Sequence, residues 1–165
     1  MIYMDMDGVL ADFDKAVNSL CGMRTMQQDG ETDPRHDERM WAEIRKIGHF
    51  YDRLDLMPGA KEMFDRIYGK YGDRCEILTG IPKKERGIPD AAEDKVKWTR
   101  RLLSEDVVIR TVLRKEKLNY CHGPEDVLID DREKTIREWR NAGGTGILHT
   151  GAEKTLGEME HLGLL

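Results

Sequence analysis

Short apolar runs alternate with amphipathic stretches along most of this 165-residue chain, and that alternation limits the fold more than any other feature. Met1-Ile2-Tyr3-Met4, Cys75-Glu76-Ile77-Leu78, Val107-Val108-Ile109, Asp126-Val127-Leu128-Ile129 and Gly146-Ile147-Leu148-His149 have strand length. Between them apolar residues recur at helical spacing. Ala60, Met63, Phe64, Ile67 and Tyr68 form one stripe, and Ile136 with Trp139 forms another. Pro58 fits a helix start and Gly72 a helix end. Residues 91–103 read as a helix with Val96, Thr99, Leu102 and Leu103 inward. Leu156, Met159 and Leu162 mark a last helix. Strand-helix alternation is satisfied by a parallel sheet covered on both faces through right-handed crossovers, a Rossmann-like α/β fold. The length suits a single domain.

One segment breaks the pattern. Residues 14–57 contain two helical stripes and no clear strand. The first stripe is Phe13, Ala16, Val17 and Leu20, ending near Gly22. The second is Met40, Trp41, Ile44 and Ile47, starting at Asp37 and stopping near Gly48. Arg24 to Asp37 is polar, carries Gly30 and Pro34, and reads as a mobile connection. We expect residues 1–13 and 58–165 to form the α/β core. Residues 14–57 would be a small helical cap inserted after the first strand, placed to cover whatever lies there.

What lies there is acidic. The first strand runs into Asp5-Met6-Asp7-Gly8. Two acids spaced i, i+2 would face opposite ways on a continuing strand, but Gly8 lets the backbone turn so that both converge. The second strand ends on Thr79-Gly80 and the fourth on Asp130-Asp131, and Arg114-Lys115-Glu116-Lys117 lies between the third and fourth. In a parallel sheet all of these reach one edge, where such folds bind ligands. Asp5, Asp130 and the backbone oxygen of Asp7 are hard oxygen donors suited to Mg2+. A lysine there neutralises a phosphoryl group, and Thr79 with Gly80 makes an anion cradle. A carboxylate held by metal and lysine can attack phosphorus, while the second acid protonates the leaving oxygen and then activates water.

Composition removes other classes. The net charge is −5 and aromatics are few, which argues against a nucleic-acid surface. No run is long and apolar enough to span a membrane. Asp5 arrives too early for a leader peptide. Cys21, Cys75 and Cys121 form no C-x-x-C pair, so free thiols in a reducing compartment, the cytoplasm, are expected.

In order and spacing these residues resemble the haloacid dehalogenase superfamily. Motif one is Asp5-Met6-Asp7-Gly8, motif two is Thr79, motif three is a lysine and motif four is Leu128-Ile129-Asp130-Asp131. The chain looks most like the 5'(3')-deoxyribonucleotidase branch. The carrying segments are Asp5 to Phe13, Met57-Pro58-Gly59-Ala60 and Leu128 to Arg132. The resemblance implies Asp5 as nucleophile and metal ligand, and Asp7 as acid/base with its carbonyl on the metal. It implies Thr79 and Gly80 on phosphate, Phe13 lining the base or sugar pocket, and Asp130 or Asp131 completing the Mg2+ shell. The motif-three lysine is Lys117, with Lys115 the alternative. Trp41, Phe50 and Tyr51 are candidates for facing the cleft. The implied partner is a small phosphate ester, a nucleoside monophosphate, and neither nucleic acid nor membrane. The competing readings are a phosphatase for another ester such as a sugar phosphate, and a catalytically idle nucleotide sensor.

Overall fold

In the computed structural model, which describes residues 1–30 and 33–165, five strands form one parallel sheet in the order β3-β2-β1-β4-β5. The strands are β1 (Ile2–Met4), β2 (Cys75–Gly80), β3 (Val108–Val112), β4 (Val127–Asp130) and β5 (Thr145–Leu148). The helices are α1 (Phe13–Cys21), α2 (Met26–Asp29), α3 (Pro34–Arg45), α4 (Ala60–Tyr71), α5 (Ala91–Leu102), α6 (Glu133–Asn141) and α7 (Ala152–His161). The chain builds outward from β1 to β2 and β3, then returns to place β4 on the other side of β1. That reversal opens a crevice beyond the carboxyl ends of β1 and β4.

Both faces of the sheet are covered, and the strand pleat shows how. Ile2, Met4, Ile77, Ile129 and Ile147 point into the larger core with Met63, Phe64 and Ile67 of α4, Trp98 of α5 and Met159 of α7. Tyr3, Leu78 and Leu128 point the other way, onto Ile136 and Trp139 of α6. The central strands are buried on both sides and therefore read as continuous apolar runs rather than alternating ones. Both buried tryptophans spend their one donor on a carbonyl. Trp139 Nε1 donates to Asp126 O at 3.0 Å, and Trp98 Nε1 donates to Leu54 O at 2.7 Å. The second bond pins the segment after α3, including a 3-10 turn at Phe50–Arg53, against α5.

Several expectations need correction. Within the polar connection, residues 26–29 form α2. Its start is a capping box in which Thr25 Oγ1 accepts from Gln28 N while Gln28 Oε1 accepts from Thr25 N. Residues 31 and 32 of that connection lie outside the described residues. Helix α3 begins at Pro34, not Asp37, because Asp33 caps it and a proline at the first position gives up no hydrogen bond. Helix α4 begins at Ala60 with Gly59 as its cap at φ 72°, so Pro58 stands outside it. Strand β3 extends to Val112, beyond the apolar run, because it pairs with β2 as far as Gly80. The inward face of α5 is Ala91, Asp94, Lys95, Trp98 and Thr99. Val96 is 36 % exposed, whereas Lys95 is fully buried.

Candidate active site

The chain leaves β1 through a tight loop in which the carbonyl of Met6 accepts from the amides of Val9, Leu10 and Ala11. That loop aims both carboxylates at the crevice. Gly8 takes φ 76°, and a Cβ there would stand 2.3 Å from Asp131 Oδ2. Glycine is therefore required twice, for the turn and for the approach of Asp131. Gly8→Ala is expected to cost about 2–4 kcal/mol, combining left-handed strain with overpacking. Urea unfolding of the metal-free protein measures it, and a cost below ~1 kcal/mol would contradict the close approach.

Two buried lysines organise the acids. Lys117, in a 3-10 segment at Arg114–Tyr120, lies 2.9 Å from Asp5 Oδ1 and donates to Asp130 Oδ2 at 2.7 Å. Lys115 of the same segment is exposed. Lys95, from α5, donates to Asp7 Oδ2 at 2.7 Å and to Thr79 Oγ1 at 2.9 Å. Its ammonium also lies 4.6 Å from the centroid of the Tyr51 ring. Lys95 was not among the sequence candidates. Thr79 is completely buried beneath the cavity, its hydroxyl accepting from Lys95, while Gly80 lines the cavity itself.

The fourth strand supplies the rest. Asp130 Oδ1 accepts from Arg132 N at 2.8 Å, and Asp131 Oδ2 accepts from Gln27 Nε2 of α2 at 2.8 Å. Oxygens of Asp5, Asp130 and Asp131 lie within 4.8 Å of one another. A cavity of about 760 Å³ opens above them. Its wall includes Phe13, Met40, Trp41 and Tyr51, so Trp41 and Tyr51 face the cleft. Phe50 is buried against Phe13 at a ring separation of 5.7 Å and does not line the cavity.

The electrostatics separate the two motif acids. Burial pushes the Asp5 carboxyl up, but the ammonium groups of Lys117 and Lys95 outweigh it and hold the group below the usual carboxylate range. Burial pushes Asp7 up, helped by the Asp5 charge and only partly opposed by Lys95, so it lies above that range. Two acids driven apart in this way suit opposite proton roles. Burial, then Asp5 and Asp130, push Asp131 to about 7. Burial and Asp5 raise Asp130 despite Lys117.

This donor set fits a divalent cation. Four carboxyl groups face only two lysines. Asp5 Oδ1 is buried, ion-paired with Lys117 yet without hydrogen-bond geometry. All three clustered donors are hard oxygens, the type magnesium prefers.

Comparison with known proteins gives the arrangement a context. Residues 1–155 match the family described as 5' nucleotidase, deoxy (pyrimidine), cytosolic type C protein. A protein of Vibrio phage KVP40, provisionally described as a 5'(3')-deoxyribonucleotidase, is 30 % identical over 164 residues. The match covers 99 % of this chain and 75 % of the phage protein. The crystal structure of a dehalogenase superposes with a TM-score of 0.56 at 13 % identity, covering 90 % of this chain and 84 % of the other, a likeness of fold. Among the described residues no helix is long and apolar enough to cross a membrane.

Proposed function

The chain belongs to the cytosolic type C deoxy-5'-nucleotidase family within the haloacid dehalogenase superfamily and is a phosphoric monoester hydrolase, and from that premise we propose a Mg2+-dependent phosphatase of (deoxy)nucleoside monophosphates that works through an aspartyl-phosphate. The observation that carries this reading is that Asp5 and Asp7, each paired with its own buried lysine in one crevice, shift in opposite directions, Asp7 upward by burial and Asp5 downward because Lys117 and Lys95 outweigh burial.

Asp5, kept ionised by Lys117, attacks phosphorus, and the bond to the ester oxygen breaks. Asp7, protonated at the outset, gives its proton to that leaving oxygen. The resulting carboxylate then takes a proton from water, which hydrolyses the acyl-phosphate and restores Asp5. The buried Asp7 Oδ1 has no hydrogen-bond partner among the described residues, which leaves it available to the leaving group. Lys95 fixes the other oxygen of Asp7 and ties it to Thr79, so Thr79 acts through Lys95, while Gly80 and Lys117 border the phosphoryl position. Asp5, Asp130 and Asp131, with the backbone carbonyl of Asp7, would hold Mg2+. When bound, the ion neutralises phosphoryl charge and orients the group for in-line attack. Residues 14–57 serve as the cap, and Phe13, Trp41 and Tyr51 offer the apolar wall that a base and sugar need. A cytosolic setting belongs to the same reading and agrees with the family description.

A panel of deoxynucleoside, ribonucleoside and sugar monophosphates with Mg2+ tests the substrate. Preference for deoxynucleotides is expected, and activity on sugar phosphates alone would overturn the assignment. A second test uses protons. Asp131 must lose its proton to ligate, so apparent Mg2+ affinity should fall about tenfold for each pH unit below 7. Calorimetric titration of Mg2+ between pH 5 and 8 reads this directly. An affinity flat across pH 5 to 7 would remove Asp131 from the ligand set.

A further inference from the structure

A second group of side chains with metal-ligating atoms lies outside that cavity. His49 precedes the 3-10 turn at Phe50–Arg53, and Asp90 and Asp94 sit one helical turn apart at the start of α5. His49 Nδ1 lies 2.8 Å from Asp94 Oδ1 and 3.7 Å from Asp90 Oδ2, and one donor atom from each residue falls within a 4.8 Å span. Donors bound to one ion at about 2.0–2.2 Å lie roughly 3–3.5 Å apart, so small side-chain movements suffice to close the set.

Asp94 supplies an independent pointer. It is only 1 % exposed, and its Oδ2 is buried with no hydrogen-bond partner among the described residues. A buried carboxylate with an orphaned oxygen is costly unless something completes its shell. Lys97 pairs with Glu93 at 2.7 Å, and among the described residues no lysine or arginine forms an ion pair with Asp90 or Asp94.

We infer that His49, Asp90 and Asp94 form a second divalent-cation site, selective for a zinc-class transition metal and separate from the Asp5–Asp130–Asp131 group. One imidazole nitrogen with two carboxylates suits Zn2+ or Co2+, whereas Mg2+ prefers an all-oxygen octahedron and gives up water reluctantly. The His49 side chain is 60 % exposed, so solvent fills the remaining positions. An ion there joins the turn that carries Tyr51 to the helix that carries Lys95. It would thereby stiffen the support of Asp7 without touching substrate.

The test is Co2+ and Zn2+ binding to the full chain in excess Mg2+, followed by Co2+ absorption and calorimetry. Asp130→Asn, which damages only the Asp5 group, should still bind one Co2+ per chain. His49→Gln, at a largely exposed side chain, should weaken that binding by about tenfold or more, at least what losing an outer-shell partner costs a metal site. Asp94→Asn should do the same. Zn2+ should raise the unfolding temperature of Asp130→Asn but not of the double variant that also carries His49→Gln. Co2+ uptake that is unchanged by His49→Gln, or that excess Mg2+ abolishes, would overturn the assignment.

Discussion

Asp5→Asn is expected to lower kcat/KM for the preferred nucleoside monophosphate by about 10⁴-fold or more, because it removes the nucleophile outright. Asparagine fills the same volume, and Lys117 keeps Asp130 as a partner, so the unfolding temperature should change little. The neighbouring variant Asp7→Asn separates the two chemical steps. It leaves an ionised nucleophile but no acid for the leaving oxygen and no base for water. With an aryl phosphate, whose leaving group needs no proton, Asp7→Asn should still transfer the phosphoryl group to Asp5 and then stall. A stoichiometric burst of aryl alcohol, with label retained on the protein, is the signature. Asp5→Asn should show neither burst nor label. Substantial steady-state turnover by Asp5→Asn would refute covalent catalysis at this residue, and an idle nucleotide sensor would show no turnover even in the wild type.

The contrast between Asp5 and Asp7 also shows where sequence reading stops. Both acids, the turn at Gly8 and the strand-end positions of Thr79 and Asp130 are legible because each follows an apolar run bounded by turn residues. The sheet order then brings them together. Lys95 was hidden by its context. In α5 the stripe through Val96 and the stripe through Lys95 and Trp98 are both plausible, and a lysine in a helix reads as solvent-facing. Only when β1 lies beside β2 does Thr79 stand near Asp7 and give a buried ammonium two partners, at 2.7 and 2.9 Å. The contact from Gln27 to Asp131 joins residues 104 apart in sequence, and no local pattern encodes it. By contrast, Thr25-x-x-Gln28 and Asp33-Pro34 were readable start signals for α2 and α3, masked by the polarity around them. The resemblance favours Lys117 and leaves Lys115 as the alternative. Their opposite burial follows from a 3-10 segment that turns only one of them toward β1 and β4.

Lys117→Met carries the largest expected loss of stability. The substitution keeps the length of the apolar stem and removes the ammonium with the hydrogen bond it donates to Asp130. Lys117 is 3 % exposed, and its ammonium serves Asp5 and Asp130 together. Removing one partner of a buried ion pair costs about 3–5 kcal/mol, because the remaining charges are left unscreened. The pH dependence fixes the sign. In the wild type the Asp5 pKa is depressed, so its contribution is present above the unfolded value near 4 and is lost as pH falls through the folded value. Without Lys117, burial is opposed by Lys95 and the Met6 amide, and Asp130 lies close by, so the Asp5 pKa should rise. The gap between wild type and variant should therefore be widest near neutrality and should narrow as pH falls toward 4. The same rise protonates the nucleophile, so the acid limb of kcat/KM should move to higher pH and activity at pH 7 should drop by about 10²–10³-fold. Lys115→Met, on an exposed side chain of the same segment, is the control and should do neither. A Lys117→Met protein with wild-type stability and an unmoved acid limb would show that this ammonium does not hold Asp5 ionised, and the division of labour between Asp5 and Asp7 would need another source.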